Sequence, residues 1–193
     1  MSAPRRSYRY VGPEHVRASV HSADSGTVIR TAADFARWAA ARTRDELAEP
    51  FTFVIDTDGA LRLAPRRSEH VACAGGERVL SAGEIGFRVE SGRWVVGEAS
   101  NQSTGYCPDI ASWPAVARGL KRAGLDHPGR FTHEVVFRWC LACQEHNVVR
   151  DGYFVCVFCD ADLPMQWNID PETEAANGGR AAGPTVGRVG VSQ

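Results

Sequence analysis

Four of the six cysteines, Cys140, Cys143, Cys156 and Cys159, follow the spacing C-x2-C-x12-C-x2-C. Two residues between thiols let one tight turn aim both sulfurs at a single ion. Two such turns supply the four soft ligands of tetrahedral zinc. Between the pairs run Asn147-Val148-Val149, the turn Arg150-Asp151-Gly152, and Tyr153-Phe154-Val155. Asp-Gly between apolar runs signals a hairpin, which is expected to return the second pair beside the first. Four thiolates leave no open coordination position, so a Zn2+ ion held here is expected to be structural and not catalytic. The competing chemistries are two disulfides and a redox pair. The basic N-terminus, Met1 to Ser7, is followed by no apolar stretch, so no secretory signal is expected and disulfides are disfavoured. A redox pair needs one C-x-x-C in a thioredoxin-like unit, a pattern this chain lacks. Tetrahedral sulfur alone does not separate zinc from iron. His146, three residues past Cys143, is expected on the turn surface.

Residues 137–165 resemble the zinc-ribbon family, and the resemblance implies Cys140, Cys143, Cys156 and Cys159 as the zinc ligands. One departure stands out. Zinc-ribbon turns often place glycine directly after the second cysteine, where this chain has Gln144 and Asp160. The other two cysteines, Cys73 and Cys107, are isolated and read as small buried hydrophobes. A nucleophilic thiol is the alternative, but no histidine lies near Cys107 in sequence to activate it.

A second kind of chemistry is suggested by three polar stretches, Arg66 to His70, Ser81 to Glu84, and Ser100 to Tyr106, each expected at a strand end. Loops held by a rigid sheet are common places for binding groups. The third stretch, Ser100-Asn101-Gln102-Ser103-Thr104-Gly105-Tyr106, has five consecutive hydrogen-bonding side chains and can line a polar pocket. It equally suits an exposed turn. In an enzyme, His70 is the candidate general base or orienting group, Glu84 its carboxylate partner, and Ser103 or Tyr106 a nucleophile or substrate contact. Asn101 and Gln102 are the candidate ligand-binding residues.

The strings Glu69-His70-Val71-Ala72-Cys73-Ala74-Gly75-Gly76, Ala82-Gly83-Glu84 and Ser103-Thr104-Gly105-Tyr106-Cys107-Pro108 resemble, over residues 69–122, plant IQ-motif calmodulin-binding proteins and bacterial relatives. His70, Tyr106 and Pro108 match that pattern. Val71 and Ala72 stand where it has serines, and Thr104-Gly105 where it has Gly-His. The chain shows no IQ helix, so calmodulin binding does not carry over. The order His70 then Tyr106 also offers a spacing analogy to NAD-dependent ADP-ribosyl transfer, in which such residues hold the nicotinamide end.

The elements that must position these groups read as hairpins with a few helices. Pro13–Val20 is expected to be a short helix, Thr27–Arg30 a strand, and Thr31 the cap of a helix whose Phe35 and Trp38 form an apolar stripe. Phe51–Asp56 with Ala60–Ala64, and Glu84–Val89 with Arg93–Glu98, read as two hairpins. A helix opens at Ser112-Trp113-Pro114 and ends at Gly124. Phe131–Trp139 enters the ribbon. Without β-α-β alternation, this predicts an α+β fold of mostly antiparallel sheet plus a C-terminal zinc-ribbon hairpin. The expected plan is a flexible 1–7, an α+β domain over 8–130, the ribbon over 131–170, and a disordered tail over 171–193, which has five glycines, two prolines and no aromatic residue.

The whole chain of 193 residues carries 44% apolar residues and a net charge of −1. No apolar run approaches the ~20 residues of a membrane span. The balanced charge argues against a dedicated basic nucleic-acid binder, though not against a local basic patch. Of 22 basic residues only Lys121 is lysine, which reads as the codon bias of a GC-rich, bacterial genome, with a preference for bidentate anion recognition as the alternative. The expectation is a cytoplasmic zinc-binding accessory protein that engages a protein partner. Nucleic acid is less favoured, because Glu145, Asp151, Asp160 and Asp162 offset Arg138 and Arg150. The alternative is a small enzyme with its site at His70, Glu84, Asn101, Ser103 and Tyr106, acting on a nucleotide or NAD-type substrate.

Overall fold

The computed structural model describes residues 6–21 and 25–169. The tail expected at 171–193 and the first five residues lie outside the described residues. The elements are α1 (Glu14–Ala18), β1 (Thr27–Ile29), α2 (Ala32–Ala40), α3 (Arg44–Leu47), β2 (Phe51–Asp56), β3 (Leu61–Ala64), α4 (His70–Cys73), β4 (Val79–Glu90), β5 (Arg93–Ala99), α5 (Trp113–Arg122), β6 (Val136–Trp139) and β7 (His146–Val149). Five strands form one antiparallel sheet in the order β1-β3-β2-β4-β5, and β6 and β7 form a separate antiparallel pair. The fold is α+β with mostly antiparallel sheet.

Every residue of β2 is buried, because both of its faces are covered. Side chains alternate across a strand, so Phe51, Phe53 and Ile55 enter one core while Val54 enters the other. The first core is closed by Phe35 and Trp38 of α2 and by Val116 and Leu120 of α5. Its aromatic rings meet edge to face, with Trp38 and Phe51 centroids 4.7 Å apart. The second core joins Val71 and Cys73 of α4 to Tyr8, Tyr106, Phe137, Trp167 and Ile169. Ribbon residues therefore share a core with the sheet.

Local signals act as their chemistry requires. Thr31 Oγ1 accepts from Asp34 N while Asp34 Oδ2 accepts from Thr31 N, a reciprocal cap for α2. Gly124 adopts φ 71° and the Leu125 N–H closes onto Leu120 O, which ends α5. The N-terminal segment is tied down at Tyr8. Its backbone exchanges two hydrogen bonds with Val79 and its ring is 2% exposed. Short α3 and α4 carry no long apolar periodicity, although Thr43 and Glu46 form a reciprocal cap for α3.

Two expectations change. Ser81 to Glu84 is not a strand end, because β4 begins at Val79 and runs straight through it. A side chain at Gly83 would stand 2.0 Å from Ser100 O, so only glycine lets the chain after β5 cross β4 so closely. In the ribbon, β7 pairs with β6 and not with residues 153–155. The first cysteine turn is itself the hairpin turn. The Asp151-Gly152 turn forms, with both residues at positive φ, but leads only to a single bridge between Arg150 and Tyr153. The chain must then bend away to deliver Cys156 to the sulfur cluster.

Candidate functional site

Sγ atoms of Cys140, Cys143, Cys156 and Cys159 all lie within 4.8 Å of one another. Cys140 and Cys159 sulfurs are 3.6 Å apart, and those of Cys143 and Cys156 3.5 Å. A tetrahedron with zinc–sulfur bonds of ~2.3 Å has edges of about 3.8 Å, so the cluster fits such an ion. The two turns are built alike. Gln144 N donates to Cys140 O and Cys140 N to Glu145 O; Asp160 N donates to Cys156 O and Cys156 N to Ala161 O. Both residues after the second cysteine are left-handed, Gln144 at φ 63° and Asp160 at φ 58°. The glycine position of the resembled family thus keeps its conformation without glycine, at a cost of about 1 kcal/mol each.

Burial pushes the Cys143 thiol up, and its sulfur neighbours add to that. Burial also opposes ionisation of Cys156, but N–H donors from Phe158 and Cys159 outweigh it and hold that thiol low. Asn147 serves both turns: its Nδ2 donates to Glu145 O of the first at 3.0 Å and reaches Cys156 Sγ of the second at 3.5 Å, where its Oδ1 accepts from Val157 N at 3.0 Å. Four thiols at this spacing can hold a metal ion, with no place for a further ligand.

Residues 164–169 fold back along β6 and reach the body at Cys107. Arg138 donates to Pro164 O at 2.8 Å and Met165 O at 2.7 Å. Asn168 accepts from Trp139 N at 2.9 Å and donates to Trp139 O at 2.8 Å. Trp167 Nε1 donates to Cys107 O at 2.8 Å. Arg138, counted above among cations for nucleic acid, is thus spent on backbone carbonyls.

The polar candidates do not converge on one pocket. Asn101 is wholly buried: Nδ2 donates to Pro108 O at 2.8 Å and Val135 O at 2.7 Å, and Oδ1 accepts from Val135 N at 2.7 Å. It acts as a clamp between chain segments and has no face left for a ligand. Tyr106 is also closed to solvent, with its hydroxyl donating to Glu77 O at 2.6 Å, and burial pushes its phenol far up. Ser103 Oγ is buried without a hydrogen-bond partner among the described residues. These three were expected on a loop surface; the close crossing over Gly83 draws them inward instead. His70 is half-buried and its Nε2 donates to Gly83 O at 3.0 Å. Burial lowers its pKa below the usual imidazole value, against the pull of that bond and of Glu84.

Glu84 and Gln102 do meet, in a cavity of about 280 Å³ beside Arg66, Glu98, Ser100 and His133. Glu98 and His133 carried no motif; pairing of Glu98 with Gly86 across the sheet places the first, and a bridge between Ser100 and His133 places the second. Burial pushes Cys73 and Cys107 up to about 12, so neither is a thiolate near neutrality. No helix among the described residues is long and apolar enough to cross a membrane. Comparison with protein-family models, with characterised proteins and with solved structures gives no match, so the calmodulin-binding resemblance draws no support from them.

Proposed function

We propose that the chain is a zinc-binding accessory protein whose ribbon, residues 131–170 appended to the 8–130 body, docks onto a protein partner. The single observation behind this is where apolar surface remains exposed. Of the eight exposed large hydrophobic residues described, Leu141, Val148, Tyr153, Val157, Phe158 and Met165 all belong to the ribbon. Leu141, Val157 and Phe158 sit between the paired ligands, around one sulfur cluster. Clustered apolar surface of this kind marks interaction sites. Its surround is acidic, with Glu145, Asp151, Asp160 and Asp162 against Arg150. A divalent ion held by four thiolates adds two more negative charges. The partner that fits is a protein with an apolar plug and a basic rim, and nucleic acid is disfavoured.

The test compares zinc-loaded wild-type protein with a Val157→Ser, Phe158→Ser double variant as bait in lysate. Zinc content and melting are expected to stay unchanged, while the principal captured protein falls about tenfold or more. Equal capture by both baits sinks the reading. So does light scattering that finds a wild-type dimer and a variant monomer, because the occupant is then a second copy.

A second reading, a small enzyme, is favoured by one observation, the cavity shared by Glu84, Gln102, Glu98 and His133. The probes are NAD, ADP-ribose and adenosine nucleotides. At least one is expected to raise the melting temperature by about 2 °C or more, and Glu84→Gln to abolish that rise. No rise with any of them removes this reading.

A further inference from the structure

A cavity of about 450 Å³ lies apart from the ribbon, beside Trp38 of α2, Phe51 of β2 and Leu63 of β3. Its floor is apolar, formed by Trp38, Phe51 and Leu63, and its rim carries Arg42, Ser68 and Glu69. This volume suits a small organic ligand.

Arg42 gives the chemistry. Its guanidinium lies 5.4 Å from the Trp38 ring centroid, which fixes its plane. Its side chain is only 29% exposed, and its nearest carboxylate is Glu46 at 3.9 Å, too far for a hydrogen bond. Glu46 is engaged elsewhere: Oε2 accepts from Thr43 N at 2.7 Å and caps α3. A guanidinium with five donors, held flat at a cavity wall and making no hydrogen bond to the described residues, matches a carboxylate bidentately. The Ser68 hydroxyl and the Glu69 carboxylate on the same rim are also uncommitted, and Glu69 can only accept.

We infer that this cavity binds a small organic acid: its carboxylate on Arg42, its apolar body over Trp38, Phe51 and Leu63, and a hydroxyl or amide N–H donated to Glu69. The ligand class follows from the three chemistries present, one fixed cation, one apolar floor and one acceptor. The site is independent of metal, so its failure would leave the ribbon reading untouched.

The test uses full-length, zinc-loaded protein titrated by calorimetry with 3-phenyllactate, indole-3-lactate and 2-hydroxy-4-methylvalerate. At least one acid is expected to saturate below about 1 mM, and its methyl ester to bind about tenfold more weakly or worse. Arg42→Gln, just after α2, is expected to match the ester's loss with melting within about 2 °C of wild type, and Arg42→Lys to recover part of it. Three results overturn the inference: no saturable binding of any of the acids up to about 10 mM, equal binding of acid and ester, or full binding by Arg42→Gln.

Discussion

Cys140→Ser protein is expected to carry about a tenth or less of the metal that wild-type protein carries, with the ribbon unfolded around the vacated turn. The reason is the size of the core. Only Cys140, Val149, Cys156 and Leu163 are buried in the ribbon's own cluster, and two of these four are ligands. Such a core cannot offset chain entropy, so the metal–sulfur bonds must supply the difference, about 10 kcal/mol or more in comparable small metal domains. The first turn would also lose its role as the β6–β7 connection. Metal analysis and hydrogen exchange at the Gln144, Cys156 and Asp160 amides report the two effects separately. Cys73→Ser is the control, because Cys73 lies in the sheet core with Val71 and Tyr106. It should keep the metal whatever it does to melting. Full metal content together with unchanged exchange in Cys140→Ser would overturn the assignment of the centre.

Asn101→Ala should be the most damaging polar substitution in the body, lowering stability by about 3–5 kcal/mol. Three hydrogen bonds end on this side chain, and all three partners are backbone groups of Pro108 and Val135. Alanine leaves them buried and unpaired, and an orphaned buried group costs about 1–3 kcal/mol. For a chain of this size that corresponds to a fall of about 6–20 °C in melting temperature. Asn101→Asp separates donor from acceptor. It keeps the acceptor for Val135 N but loses both donors and buries a charge, so it should melt at least as low as alanine. Serine at position 103 offers the contrast. Its Oγ already lacks a partner, so Ser103→Ala should leave melting within about 1 °C of wild type or raise it. A loss under 2 °C for Asn101→Ala would show that the clamp contributes little.

The metal site was legible in the sequence because its chemistry is local. Two C-x2-C pairs each close a turn, and the conformation follows from the residues inside it. Hairpins at 51–64 and 84–98 were legible for the same reason, as alternation and turn residues act within a dozen positions. What the sequence concealed was crossing. Asn101 and Tyr106 look like a polar loop until Gly83 is seen to admit the Ser100 backbone at contact distance. Glu98 and His133 share a cavity with Glu84 through a cross-strand pairing beside a register shift and through a bridge to Ser100. Alternation predicts which face a residue takes, but not a bulge that moves it along the strand. The Asp-Gly turn misled in the opposite way: the local signal was right, yet the strand beyond it was overruled by the need to carry Cys156 to the sulfur cluster.

The strap at 164–169 has a consequence for the order of assembly. Trp167 meets the Tyr8 ring edge-on at 5.2 Å, and Arg6 lies over its indole at 4.7 Å. About 160 residues of chain separate these partners, while the five sheet strands pair between residues 27 and 99. A ribosome therefore releases the whole sheet before the group that seats Tyr8 exists, and the earliest core side chain waits for the latest. Closing so long a loop adds only slowly to the entropy cost, so the penalty falls on folding rate more than on final stability.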